Sequence, residues 1–308
     1  MILPFNQAHH RQIKADREEQ TLGQYIPLAY HYNMLQDEDR MEGFKSAIEL
    51  LVTPEMRVAE LGSGTGVLSS FAARCGATVE AVERIPELVD CSRRLIANNG
   101  LEQAVTISAG DASHWLPEHP VDVVICEMLH VGLLREKQAQ VISAFKRNYV
   151  QRFGTKLPVF VPEASILMCQ PVEQCFDYAG YIAPVPLFQA AKLEQPRTKE
   201  ISPLVPYQTL QYDQTTPFDM SASLRFTATT DACLNAIRLV TQNILAIDMS
   251  AQRAINWPNQ CLILPLETPF TCAANDEIVI QLNYEAGAPL EAISYQAQRA
   301  QHSQRRAA

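Results

Sequence analysis

Several features that would decide the class of this chain at once are missing. No stretch reaches the ~18 consecutive apolar residues of a membrane-spanning helix. The start turns polar after five residues and lacks the apolar core of a secretory signal. The eight cysteines, at 75, 91, 126, 169, 175, 233, 261 and 272, contain no C-x-x-C, and the seven histidines show no ligand spacing to them, so no metal site is expected. Cysteines scattered in apolar runs read as buried, reduced thiols of a cytoplasmic protein. Basic residues are scarce, 25 against 34 acidic, for a net charge of -9. That balance argues against nucleic acid as a partner, which would need phosphate contacts, and leaves room for a cationic one. Residues 286–308 carry three Arg and one Glu, so the body before them is at -11. Repeats and low-complexity segments are absent too.

What is present is globular: 308 residues, 47% hydrophobic and 19% charged, enough for one large or two moderate domains. The spacing of Met34, Leu35, Met41, Phe44, Ile48 and Leu51 predicts a helix over residues 34–51, ended by Pro54. Strands then alternate with helices: strands at 57–61, 78–82, 105–108 and 121–126, helices at 67–75 and 86–99. The fourth strand is apolar except for Asp122, as in the middle of a parallel sheet. The pattern is an α/β, Rossmann-like domain. Nine of the nineteen prolines fall between 158 and 217. Beyond them strand patterns take over, as at 223–228 and 278–284, giving a mostly antiparallel, barrel-like second domain. The expected division is an N-terminal segment 1–33, a Rossmann-like domain 34–160, a barrel-like domain 161–286 and a loosely ordered tail 287–308.

The sharpest local motif is Glu60-Leu61-Gly62-Ser63-Gly64-Thr65-Gly66. Its glycines allow a tight turn and close approach of a ligand, and the next helix offers unpaired N–H groups. A dinucleotide fingerprint needs a third glycine at 67, where this chain has Val. The E-x-G-x-G-x-G form resembles motif I of the S-adenosylmethionine methyltransferases. That resemblance implies this cofactor, with Glu60, Gly62, Ser63, Gly64 and Gly66 along its methionine part. Glu83 ends the second strand, where an acid can accept from both ribose hydroxyls. Gly110-Asp111-Ala112, after the third strand, resembles the family's adenine-contacting segment.

The fourth strand leads into Cys126-Glu127-Met128-Leu129-His130-Val131-Gly132-Leu133-Leu134-Arg135-Glu136. Glu127 sits at a strand's carboxyl end, and Glu136 returns nine residues later. Two carboxylates converging on one pocket suit a planar guanidinium. The segment resembles the double-glutamate loop of the protein arginine methyltransferases, with Glu127, Leu133-Leu134 and Glu136 in register. It departs from it at Met128-Leu129-His130. Residues 31–40 resemble the family's N-terminal helix. By that resemblance Arg40 pairs with the cofactor's carboxylate, Met34 sits against the reacting centre and Tyr25 covers the cofactor. Ile255-Asn256-Trp257 resembles the Thr-His-Trp loop, with Asn256 where the family has a His that pairs with the Asp matched by Asp37. The resemblance thus implies an arginine N-methyltransferase with Glu127 and Glu136 catalytic. Met34, Tyr25, His130, Asn256 and Trp257 would line the acceptor pocket, and a homodimer would form through an arm near 176–205. The acceptor is an arginine-containing protein or peptide, or alternatively free arginine or another small amine; a cofactor-binding scaffold without activity is the third alternative.

Overall fold

The computed structural model describes residues 25–191 and 195–300. Most of the N-terminal segment, residues 1–24, and the last eight residues of the tail lie outside them. Among the described residues no helix is long and apolar enough to cross a membrane.

Two helices come first. Helix α1 (Leu28–Gln36) buries none of its side chains, whereas α2 (Glu38–Leu51) buries Arg40, Phe44, Ala47 and Ile48. The continuous helix expected over 34–51 is therefore divided. The cause is Asp37, whose carboxylate accepts the Arg40 N–H at 2.9 Å. An N-cap of this kind satisfies an orphan donor of a new helix and ends the old one. Glu38 and Asp39 follow in the first turn, where acids complement the helix dipole.

The next elements are β1 (Arg57–Leu61), α3 (Val67–Arg74), β2 (Thr78–Glu83), α4 (Pro86–Asn98), β3 (Val105–Ala109), β4 (Val123–Cys126), α5 (Gln138–Phe153) and β5 (Val159–Val161). The five strands form a parallel sheet in the order β3-β2-β1-β4-β5. Strand β4 starts two residues later than expected, at Val123. The Val121 N–H donates to the Tyr149 hydroxyl at 3.0 Å, and that hydroxyl donates back to the Val121 carbonyl at 3.2 Å, so Val121 is held by α5 and not by the ladder. The strand order reverses between β1 and β4, and in such sheets ligands bind at the carboxyl ends beside that reversal.

The second half is built from β6 (Ala164–Gln174), β7 (Asp177–Tyr178), β8 (Tyr181–Ile182), β9 (Leu187–Gln189), β10 (Thr198–Glu200), β11 (Val205–Gln211), β12 (Ala222–Thr227), β13 (Ala232–Asp248), β14 (Arg253–Pro258), β15 (Cys261–Cys272), β16 (Glu277–Asn283) and β17 (Ser294–Arg299). All pair antiparallel. One sheet runs β10-β6-β13-β15-β9, with β11 on β6 and β14 on β13; a second runs β12-β16-β17. The segment near 176–205 forms the short β7–β8 hairpin and single strands among its described residues. One expectation changes here. The tail is not loose up to residue 300: β17 pairs with β16 from Ile278↔Arg299 to Asn283↔Ser294.

One buried apolar cluster runs through both halves. It joins Phe44 and Ile48 of α2, the sheet residues Val58 and Ile125, the loop residues Leu129, Val131, Leu133 and Leu134, and the strand residues Leu167, Leu239, Leu245 and Trp257. Phe44 and Trp257 pack with ring centroids 6.0 Å apart. The loop after β4 is thus wedged into the seam between the sheets. The eight cysteines form no disulfide.

Candidate active site

A cavity of about 540 Å³ lies at the carboxyl ends of β1 and β4, with Tyr30, His31 and Met34 of α1 along one side. The glycine loop forms its floor. Gly62 and Gly64 have φ of 76° and 52°, in the left-handed region that favours glycine. A Cβ would come within 2.6 Å of Met128 Cε at position 62 and 2.7 Å of His31 Cε1 at position 64. The Gly64 N–H donates to Glu83 Oε2 at 2.9 Å, and the Ile85 N–H to Glu83 Oε1 at 2.9 Å. Glu60 accepts from the Ser69 N–H at 3.0 Å and from the Ser69 hydroxyl, fixing the strand end to the first turn of α3. Burial pushes the Glu60 carboxyl up to about 8, against those two hydrogen bonds. Asp111 accepts from the Ser113 N–H at 2.8 Å and its hydroxyl at 2.7 Å. Despite partial burial, these bonds hold Asp111 below the usual carboxylate range.

The acidic end of the cavity carries Glu127 and Glu136. Glu127 is paired with a guanidinium of the protein itself: Arg40 Nη2 donates to Glu127 Oε2. The Glu136 carboxylate makes no hydrogen bond within the described residues. Burial and the neighbouring Glu127 push it up to about 8, against the pull of Arg40 and Arg135. His130 meets Phe188 edge-on, ring centroids 5.5 Å apart. Burial, and the charge of Arg135, bring its imidazole down to about 4, so it is neutral at physiological pH.

The structure brings together most of the residues singled out from sequence. Met34, Arg40, Glu60, Gly62, Ser63, Gly64, Glu83, Asp111, Ala112, Glu127, His130, Glu136 and Trp257 all line the cavity. Three do not. Tyr25 is 55% exposed and outside the wall, and Tyr30 of α1 lies in it instead. Gly66 caps α3 and packs against Ile96 and Ser92, where it shapes the turn without reaching the cavity. Asn256 is exposed on β14. Adjacent residues of a strand face opposite ways, so with Trp257 turned inward Asn256 must point out.

Other residues were missed. Gln138, fully buried, donates to the Cys126 carbonyl at 2.7 Å and accepts from the Met128 N–H at 2.9 Å, so both peptide neighbours of Glu127 are fixed. Asn259 donates to the Leu129 carbonyl at 2.9 Å, and its own oxygen accepts from Asn243 at 2.6 Å. Asn243 accepts in turn from Ser165 at 2.7 Å, and Ser165 meets the Tyr212 hydroxyl at 2.9 Å. At the loop tip, the Gly132 N–H donates to Thr241 Oγ1 at 2.7 Å and the Tyr284 hydroxyl to the Gly132 carbonyl at 3.0 Å. The antiparallel sheets therefore hold the loop after β4 by its backbone. One signal was available: Thr241 and Asn243 stand at i and i+2, on one face of a strand, between apolar residues at 239–240 and 244–247.

Three polar atoms of the wall are buried with no protein partner among the described residues: Ser63 Oγ, Arg40 Nε and His31 Nε2. Buried polar groups are seldom left unpaired, so this set fits a polar ligand against the glycine loop. With the carboxylates at the strand ends, it is a donor and acceptor set matching S-adenosylmethionine.

Comparison with known proteins agrees. Residues 58–150 match the family described as "Methyltransferase domain". An uncharacterised protein of Methanocaldococcus jannaschii is 29% identical over 265 residues, 86% of this chain and 95% of its own. An arginine N(omega)-methyltransferase of Streptomyces achromogenes subsp. streptozoticus is 28% identical, over 47% of this chain and 42% of its own. A probable protein arginine N-methyltransferase of Arabidopsis thaliana is 30% identical, over 44% and 37%. The chain thus matches these two named enzymes over less than half of their length. Among solved structures, a chain of the Trypanosoma brucei PRMT1 enzyme–prozyme heterotetramer with AdoHcy has a TM-score of 0.68 at 16% identity, covering 87% of this chain and 96% of that one. Arabidopsis thaliana protein arginine methyltransferase 10 gives 0.69 at 18%, covering 83% and 88%. The chain is an S-adenosylmethionine-dependent methyltransferase, related in fold and sequence to the protein arginine methyltransferases.

Proposed function

We propose that the acceptor is the guanidino group of arginine, in a protein or peptide or as the free amino acid. The observation that carries this reading is the carboxylate pair Glu127 and Glu136 on one cavity, with Glu127 already holding a guanidinium, that of Arg40. S-adenosylmethionine supplies an electrophilic methyl group on its sulfonium. Arg40, Ser63, the backbone of residues 62–64, Glu83 and the Asp111–Ala112 turn are the groups that would hold it.

The protein's part is to present the acceptor. A guanidinium is delocalised and a poor nucleophile. Paired hydrogen bonds to Glu127 and Glu136 fix its plane and draw positive charge toward the bonded nitrogens, leaving electron density on the attacking one. Positioning of this kind is itself a large part of a rate enhancement. Glu136, at about 8 without acceptor, is a base matched to neutral pH for the released proton. His130 has no such part, since at about 4 it is a weak base, and Asn256 stands outside the cavity.

The test is mass spectrometry of products after incubation with S-adenosylmethionine and three acceptors: an arginine-rich peptide, free L-arginine and a lysine-rich peptide. A methyl group on a guanidino nitrogen is expected. Methylation of lysine alone, or of none of the three, overturns the reading.

A further inference from the structure

Next to Glu136 the chain does something unusual. Leu133 and Arg135 both have positive φ, 54° and 61°, and the Arg135 N–H is anchored on the Ala288 carbonyl at 2.8 Å. A left-handed conformation strains a residue with a Cβ, so it persists only where the surroundings impose it. An extended strand would turn alternate side chains away. Here Arg135, Glu136 and Lys137 all line the same cavity.

The cations of this wall are not equivalent. Arg40 is paired with Glu127. Lys137 donates its ammonium to the Gly287 carbonyl at 3.1 Å. The Arg135 guanidinium, half-buried, has neither a hydrogen bond nor a carboxylate within ion-pair distance among the described residues. Its charge acts on Glu136 and His130, both cavity residues. A cation beside a cation-binding carboxylate weakens that carboxylate's hold on a guanidinium. It is explained if the acceptor carries a negative group a few bonds from its positive one.

We propose that Arg135 forms a carboxylate subsite of the acceptor pocket, so that the preferred acceptor is arginine as the free α-amino acid. The inference rests on the guanidine reading above and extends it. An arginine inside a peptide presents two neutral amides at its α-carbon, to which a guanidinium fork offers no charge-assisted pair; a free α-carboxylate accepts both prongs. The deep carboxylates then take the guanidinium and Arg135 takes the other end, so a zwitterionic acceptor meets opposite charges in order along the pocket.

The probes are L-arginine and agmatine, the same molecule without the carboxylate. Their binding to the full chain loaded with S-adenosylhomocysteine is measured by calorimetry, and their methylation by mass spectrometry. The wild-type protein is expected to prefer L-arginine on the order of tenfold or more, the range of one charge-assisted hydrogen-bonded pair. In Arg135→Gln the preference collapses toward one. Arg135→Lys, which keeps the charge, retains part of it. Equal binding of the two probes to the wild type overturns the subsite, as does an Arg135→Gln preference equal to wild type. Were Arg135 only tuning Glu136, the affinities for both probes would change together and the ratio would stand, which also overturns it. A binding preference without transfer to either probe keeps the subsite and removes the guanidine-methylation reading; transfer without preference does the reverse.

Discussion

Arg40, Glu127, Glu136 and Glu60 share one electrostatic problem: four ionisable groups on a cavity that water leaves when ligands enter. Arg40 and Glu127 solve it by pairing, and Glu60 by taking both donors of Ser69. Glu136 has no such partner and sits at about 8. The sign of its pH effect follows. The acceptor guanidinium stays charged and needs an ionised Glu136. Below about 8 the carboxyl is protonated and must release its proton on binding, which weakens the acceptor. The KM for acceptor is expected to fall as pH rises through that value and then level off, while cofactor affinity changes much less; steady-state kinetics across this range with calorimetry of the cofactor read both. At this scale Glu127 and Glu136 were legible in sequence because register and residue type coincide in one contiguous loop. Tyr25 and Asn256 were not: one step along β14 turns Asn256 out, and Tyr25 lies ahead of α1, whose third residue, Tyr30, is the tyrosine on the cavity.

The element that matters most is the loop from Cys126 to Glu136. It is short and has no regular structure beyond a single 3₁₀ turn, Val131–Leu133. Its backbone bonds go to Gln138, Asn259, Thr241 and Tyr284, three of them from the antiparallel half. Gln138→Leu strands the Cys126 carbonyl and the Met128 N–H in a buried site, which costs about 1–3 kcal/mol of stability. Freeing Glu127 by a fraction of an ångström is expected to lower kcat by about 10–100-fold with little change in cofactor Kd. Urea unfolding, calorimetry and kcat on the same variant separate these effects. A kcat equal to wild type in a folded Gln138→Leu protein means that Gln138 does not position Glu127. Thr241 of β13, Asn259 after β14 and Tyr284 after β16 lie more than 100 residues away in sequence, and beyond the Thr241/Asn243 pair no local pattern announces such pairings.

On the scale of the whole molecule, the two halves are one folding unit in their core. Phe44 is fully buried against Trp257, and the same cluster runs from the parallel sheet through the loop into β13 and β15. Phe44→Ala is expected to cost about 3–5 kcal/mol, because the cavity it leaves lies between stiff elements that do not collapse into it. Unfolding followed by far-UV circular dichroism and by tryptophan fluorescence, from Trp115 in the parallel half and Trp257 in the antiparallel half, should shift together. Separate transitions contradict a shared core. The parallel half was readable from the alternation of apolar runs and helical spacings. The antiparallel half was readable only as strand-rich, since its order rests on long-range pairings such as β6 with β13.

The claim joining these scales is that Glu127 clamps the acceptor and leaves cofactor binding to the glycine loop. Glu127→Gln tests it most directly, because the side chain keeps its shape and loses its charge. Cofactor affinity by calorimetry and methyl transfer to the best arginine acceptor are measured on the same preparation. The expected result is retained cofactor binding with turnover reduced about 10²-fold or more. Turnover at the wild-type level in Glu127→Gln would contradict the account.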